Sequence, residues 1–194
     1  VYVYIHKDKR GIKEFKIQCG LNQTFDFLLT KITKLPKWIM ENKNCFFSFL
    51  AGYSDCEANW NISKRYTNSF QIDFNLRTND KDILKHIKSK LVSEGFNPYF
   101  RLYIKKGQRA TYGIYTKDLY SLRIGRRQET IRLAKILLPL SKHGEKIDKM
   151  KLVIGINKNT EWDDIENKVL SLRKSIKNII LKQDNRSVIN DLKK

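Results

Sequence analysis

Two carboxylates, Asp55 and Glu57, close an apolar and small-residue run that extends from Asn44 to Glu57. Read as a helix, this run places Ser48, Gly52 and Cys56 four residues apart on one face. A stripe of small residues lets a second helix approach closely, which is the logic of small-xxx-small packing. Acids are ordinarily favoured at helix N-termini. Asp55 and Glu57 stand at the C-terminal end, where the peptide dipole opposes them. A bound cation reverses that cost. Two such helices side by side bring two carboxylates together, a site for a hard divalent metal. The plainer alternative is a buried helix that ends in two solvated acids.

The flanking residues supply elements to position those acids. Asn59–Arg65 alternates, with Trp60 and Ile62 on one side and Asn59, Asn61, Ser63 and Arg65 on the other. Phe70–Arg77 alternates as well, Phe70, Ile72, Phe74 and Leu76 against Gln71, Asp73, Asn75 and Arg77. With a turn at Thr67-Asn68, the two runs predict an antiparallel hairpin with one wet face. Thr78-Asn79-Asp80 predicts a helix start by capping. Ile83, Leu84, Ile87 and Leu91 continue that helix at a 3.6-residue period, and Gly95 stops it. Tyr99–Lys105 predicts a third strand, with Phe100, Leu102 and Ile104 opposite Arg101, Tyr103 and Lys105. Ala110–Thr116 predicts a fourth. Helices are expected over Gln128–Leu140, over Lys146–Val153, and from the capping-box-like Thr160-Glu161-Trp162-Asp163 onward.

The first 40 residues read strand, basic turn, strand, helix (Thr24–Ile32), proline. Residues 99–139 read the same way, so an internal repeat is expected. The organisation read from this has three parts. Residues 1–40 are the C-terminal half of a preceding repeat, 44–153 one complete repeat, and 154–194 a helical tail. The first residue is Val rather than Met, which fits a partial chain with a unit upstream.

Composition narrows the function classes. The 194 residues carry 39 Lys+Arg against 20 Asp+Glu, a formal net charge of +19, with 41% hydrophobic residues. That apolar fraction supports a packed core rather than disorder. No window is long and apolar enough for a membrane helix, and no secretory signal opens the chain. Cys19, Cys45 and Cys56 are scattered, without a C-x-x-C pair, which argues against structural zinc and fits an intracellular protein. His6, His86 and His143 lack metal-ligand spacing. The excess of basic charge points to a polyanion, chiefly nucleic acid. On the wet strand faces, Arg suits guanine edges, and Asn and Gln suit adenine edges. Those faces carry Asn59, Asn61, Ser63, Arg65, Gln71, Asp73, Asn75, Arg77, Arg101, Tyr103, Lys105, Thr111 and Tyr115. Lys105, Lys106 and Arg109 in the tip loop read as phosphate contacts.

Leu50-Ala51-Gly52-Tyr53-Ser54-Asp55-Cys56-Glu57-Ala58 resembles the nine-residue signature of LAGLIDADG homing endonucleases. The first three residues and Asp55 match literally, and Glu57 takes the second acidic position. Ala58 departs from the usual Gly. The order of elements after it also fits, through Leu138-Pro-Leu-Ser-Lys-His-Gly-Glu-Lys146. The resemblance implies an α+β fold of αββαββα units whose antiparallel sheets form a concave DNA-binding saddle. It implies pairing of two signature helices, here through Ser48, Gly52 and Cys56, either in a homodimer or with an upstream repeat. It further implies site-specific hydrolysis of double-stranded DNA with Mg²⁺ or another divalent cation. Asp55 and Glu57 are then the site acids and Glu57 the metal ligand, with Lys142, or next Lys146, as the assisting basic residue. An intron maturase acting on RNA, or a DNA-binding protein that does not cleave, is the alternative within the same family.

Overall fold

The computed structural model describes the backbone of residues 2–7 and 13–18, and residues 32–66, 69–110, 113–157 and 159–175 in full. The chain divides into two compact units, residues 1–33 and 34–194. In the first, β1 (Tyr2–Lys7) pairs antiparallel with β2 (Lys13–Gln18), with Val3 opposite Ile17 and Ile5 opposite Phe15. These are the two strands expected at the start of the chain; the turn expected between them lies outside the described residues. The helix expected after them lies outside the described residues as well.

The second unit begins with α1 (Lys37–Glu41) and α2 (Lys43–Glu57). Asn42 starts α2, its Oδ1 accepting the N–H groups of Asn44 and Cys45 at 2.9 and 3.1 Å; this satisfies two of the orphan donors of the first turn. Without an intervening loop the chain enters β3 (Ala58–Lys64), then β4 (Phe70–Thr78), α3 (Lys81–Ser93) and β5 (Tyr99–Ile104). A short ribbon of β6 (Arg109–Ala110) and β7 (Gly113–Ile114) leads to β8 (Leu119–Ile124), α4 (Arg127–Leu137) and α5 (Gly144–Ile154). Residues 162–175 are helical and are called α6. The main sheet has the order β3-β4-β8-β5, antiparallel throughout. From α2 to α4 the unit is therefore αββαββα, as expected.

The fourth sheet strand is β8, not Ala110–Thr116. Arg109–Ala110 and Gly113–Ile114 form only a separate two-stranded ribbon of two residues each. Leu119–Ile124 alternates too: Leu122 and Ile124 are buried, and Ser121 and Arg123 lie on the polar side. Two nearby runs thus competed for one place, and the run whose apolar residues reach the helices took it.

Helices cover one face of the sheet. Phe46, Leu50, Phe74, Leu76, Leu84, Ile87, Leu122, Ile124, Leu133 and Leu137 form the centre of that core. Trp60 packs on Phe74 with ring centroids 4.9 Å apart. Trp162, Ile165 and Val169 of α6 join the same core, so α6 packs as part of this unit. Two expected caps are replaced. Asp80 makes no capping bond to α3; its carboxylate accepts the Tyr53 hydroxyl at 3.3 Å. Thr160 bonds back to Asn157, and it is Asp164 that accepts the Glu161 N–H at 2.8 Å at the start of α6.

Candidate metal and nucleic-acid site

The packing of α2 separates its two sides. Phe46, Phe47, Leu50, Ala51 and Ser54 are buried, whereas Ser48, Gly52 and Cys56 are all exposed. A Cβ placed on Gly52 meets nothing within 4 Å. The predicted stripe therefore exists and lies open on this unit. Ala58, where the signature departs from Gly, has φ −96° and ψ 158°, ordinary extended backbone. No left-handed conformation is required there, so alanine costs nothing conformationally.

At the end of α2 the two acids part. Asp55 turns toward α5: its Oδ2 accepts the backbone N–H groups of Lys142 and His143 at 2.7 and 3.2 Å. These amides stand at the start of α5, the positive end of its dipole. Lys146, one turn into α5, donates from Nζ to the Ala58 carbonyl at the C-terminal end of α2. The unfavourable field expected at that end is thus offset by an ammonium and a helix N-terminus of the same unit. Burial first, and then the neighbouring Lys149 ammonium, push the Lys146 pKa down. Asp55 and Lys146 thus tie the end of α2 to the start of α5.

Glu57, in contrast, is exposed, and so is the side chain of Lys142. Its charge also reaches Tyr53, whose pKa is raised to about 12, mainly by burial, with help from Asp80 and Glu57. A single open carboxylate fits magnesium, which keeps several waters and takes one or two carboxylates plus substrate phosphates rather than a closed protein cage. Among the described residues no group of three or more His, Cys, Asp or Glu side chains gathers to hold a metal. The Oδ1 of Asp55 is buried without a hydrogen-bond partner at this helix end.

The polar side of the sheet begins at the same place. The register sets Ser63 opposite Gln71, Asn61 opposite Asp73, Asn59 opposite Asn75, and Arg77 opposite Ser121. Arg123 and Arg101 on β8 and β5 extend the face. Residues 61, 73, 75, 77, 99, 101, 121 and 123 line one concavity. Arg77 stacks on the Tyr103 ring at 4.2 Å, with Arg101 at 5.5 Å from the same ring. The face is less uniform than the alternation suggests. Asp73 and Asn75 are buried; Asp73 accepts from Arg123 and Asn61, and Asn75 accepts the Ser121 hydroxyl at 2.8 Å. Arg65 lies beyond the end of β3, its backbone N–H bonded to the Ser69 carbonyl. Lys105, Lys106 and Arg109 are exposed near the ribbon, and the Lys106 N–H is tied to Asp118. Thr111 lies outside the described residues.

Tyr99, Ser121, Arg123 and Lys149 belong to this polar face or its rim and are absent from the sequence-based set. The signal for Ser121 and Arg123 lies in Tyr120-Ser-Leu-Arg-Ile124, one segment beyond the run whose alternation predicts the fourth strand, and Tyr99 opens the predicted third strand. Glu145 and Lys149, four apart on α5, carry a second signal: they pair at 2.7 Å, and Lys149 also reaches Asn59 at 3.2 Å.

No protein-family profile matches the chain, and no curated protein matches it. Among solved structures it is similar to the homing endonuclease I-CvuI in complex with its target in the presence of calcium. That match has 18% identity and a TM-score of 0.41, over 57% of this chain and 64% of that one. It is also similar to the archaeal intron-encoded homing endonuclease I-Vdi141I complexed with DNA: 12% identity, TM-score 0.43, 59% of this chain and 70% of that one. A third match is the group I intron-encoded homing endonuclease I-CeuI complexed with DNA: 16% identity, TM-score 0.41, 70% of this chain and 73% of that one. The chain spans just under two thirds of the length of I-CvuI. The chain carries its LAGLIDADG-like run over residues 50–58, at the end of α2, within the αββαββα order of elements.

Proposed function

We propose that this chain contributes one active half of a homing-type, site-specific endonuclease acting on double-stranded DNA with a divalent metal. The observation that carries the proposal is the open side of α2. Its small residues Ser48, Gly52 and Cys56 are exposed in line and lead to the exposed carboxylate of Glu57, where the polar face of the sheet starts. A second signature helix laid on that stripe brings a second acid to the same place. The partner is a second copy of the chain or a preceding repeat, of which residues 1–40 are read as the C-terminal half.

Each residue then has a task. The sheet face binds duplex DNA, with Arg, Asn and Gln heads toward base edges and Lys105, Lys106 and Arg109 toward phosphates. Glu57 holds the metal, magnesium by the chemistry of a lone open carboxylate. When bound, such an ion supplies Lewis acidity and an activated water for phosphodiester hydrolysis. Lys142 offers positive charge to the phosphate that becomes more negative. Asp55 keeps Lys142 at the end of α2 through its backbone, and Lys146 clamps α5 to Ala58.

The test is Glu57→Gln, assayed with Mg²⁺ on a library of duplex sequences. Cleavage should fall to background while duplex binding persists. Equal loss of binding would remove the metal-ligand role. A wild-type chain that binds one duplex sequence and never nicks it would support the non-cleaving alternative, and preference for intron RNA over duplex at matched salt the maturase. Light scattering at moderately high salt decides the partner: a dimer means self-pairing and a near-palindromic site, a monomer means an upstream repeat.

A further inference from the structure

Asp73 is an anomaly on a surface read as binding a polyanion. Its carboxylate sits in mid-strand on the polar face, and its side chain is only 8% exposed. A buried carboxylate is costly unless it is paired and hydrogen-bonded, and a carboxylate on this face repels phosphate. Something must be gained from its presence.

Its partners show what. The Nε–H of Arg123 donates to Oδ1 at 3.0 Å, and the Asn61 amide donates to the two oxygens at 3.4 and 3.2 Å. Asn61 in turn accepts from Asn59 at 2.6 Å, and Asn59 accepts from Lys149. Every donor in this chain points toward Asp73, so both amides have a single orientation. Asp73 engages the inner nitrogen of Arg123, which leaves the two Nη amino groups outside that bond, while the Arg123 side chain remains 37% exposed at the concavity. The two outer amino groups of a guanidinium are the fork that pairs with O6 and N7 of guanine. An arginine whose stem is already held loses less freedom on binding.

Resting on the DNA-binding reading above, we infer that Asp73 is a positioning residue: it pre-orients Arg123 for bidentate recognition of one guanine in the target. Asp73 acts through Arg123 and does not itself touch DNA. The pair is a specificity device rather than a source of general affinity.

The experiment selects binding sites for the 194-residue chain from a randomised duplex library. It repeats the selection with Asp73→Asn and with Arg123→Lys. Binding to a non-selected duplex is measured alongside, at matched salt. The wild type should yield a site with a required guanine. Both variants should lose that requirement at the same base pair only, with about a ten- to hundredfold loss on the selected site. Binding to the non-selected duplex should be unchanged, or tighter for Asp73→Asn. Arg123→Lys keeps the charge but has no fork, so it carries the test if Asp73→Asn fails to fold. Loss of affinity uniform across sequences would make Arg123 a phosphate contact and overturn the inference. Retention of the same guanine by Asp73→Asn would make Asp73 structural only. A wild type that selects no sequence would overturn the DNA-reading proposal itself, and this inference with it.

Discussion

One side of α2 is built mainly of large apolar residues and the other of small ones, and their environments are opposite. Leu50 is fully buried against the sheet, while Gly52, two residues on, faces open space. The same division runs through the acids. Asp55 spends its carboxylate on the amides of Lys142 and His143, and Glu57 leaves its own exposed. One side of the helix therefore maintains this unit, and the other is available to something else. A small-residue stripe is informative because the unit makes no use of it.

That contrast predicts opposite signs for neighbouring substitutions. Leu50→Ala should destabilise by about 2–5 kcal/mol, since it leaves a cavity among Phe46, Phe74 and their neighbours. Gly52→Ala should stabilise the isolated unit by about 0.5–1 kcal/mol, because alanine is the better helix former and its methyl meets nothing. The same change should weaken pairing of signature helices by obstructing close approach. Urea unfolding reads the first pair of effects and light scattering the second. Equal destabilisation by the two changes would mean that the exposed side is not spare.

The acids extend the comparison at smaller magnitude. Asp55→Ala removes two hydrogen bonds to a charged acceptor and unfastens the start of α5. A loss of about 1.5–3 kcal/mol is expected, whereas Glu57→Gln should leave stability within about 0.5 kcal/mol. A stability loss on Glu57→Gln as large as that of Asp55→Ala would erase the distinction between inward and outward acid.

The smallest effect is a pH dependence on α5. The Lys149 hydrogen bond, outweighing partial burial, holds the Glu145 carboxyl below its ordinary pKa. A carboxyl depressed in the folded state adds stability that is present above its unfolded pKa and is lost as pH falls through the folded value. The pair is a part-buried i,i+4 pair at the helix surface, so its worth is about a few tenths of a kcal/mol. Glu145→Gln should flatten the acid limb of the stability curve by that amount in low salt. An unchanged limb would show that the pair contributes nothing.

Much of this was legible in the chain because it rests on local rules. The alternation of Phe70, Ile72, Phe74 and Leu76 gave β4, and the spacing of Ile83, Leu84, Ile87 and Leu91 gave α3. The small stripe was legible from the four-residue period alone. Other features depend on neighbours in space. Leu102 alternates as cleanly as Phe74, yet it is 46% exposed on the edge strand β5, whereas β4 is flanked on both sides. Asp73 and Asn75, polar residues on that inner strand, became buried and tied to Arg123 and Ser121.

The sequence by itself determined the helix that carries the acids, its exposed stripe and the succession αββαββα, since periodicity and propensity act over a few residues. Tertiary structure decided which of two alternating segments completes the sheet, how deep each polar residue lies, and which acid is left free. Those outcomes follow from packing and charge partners distant in the chain: Lys142 and His143 reach Asp55 across 87 and 88 positions. No local pattern encodes such a contact, because its energy exists only once the helices have met.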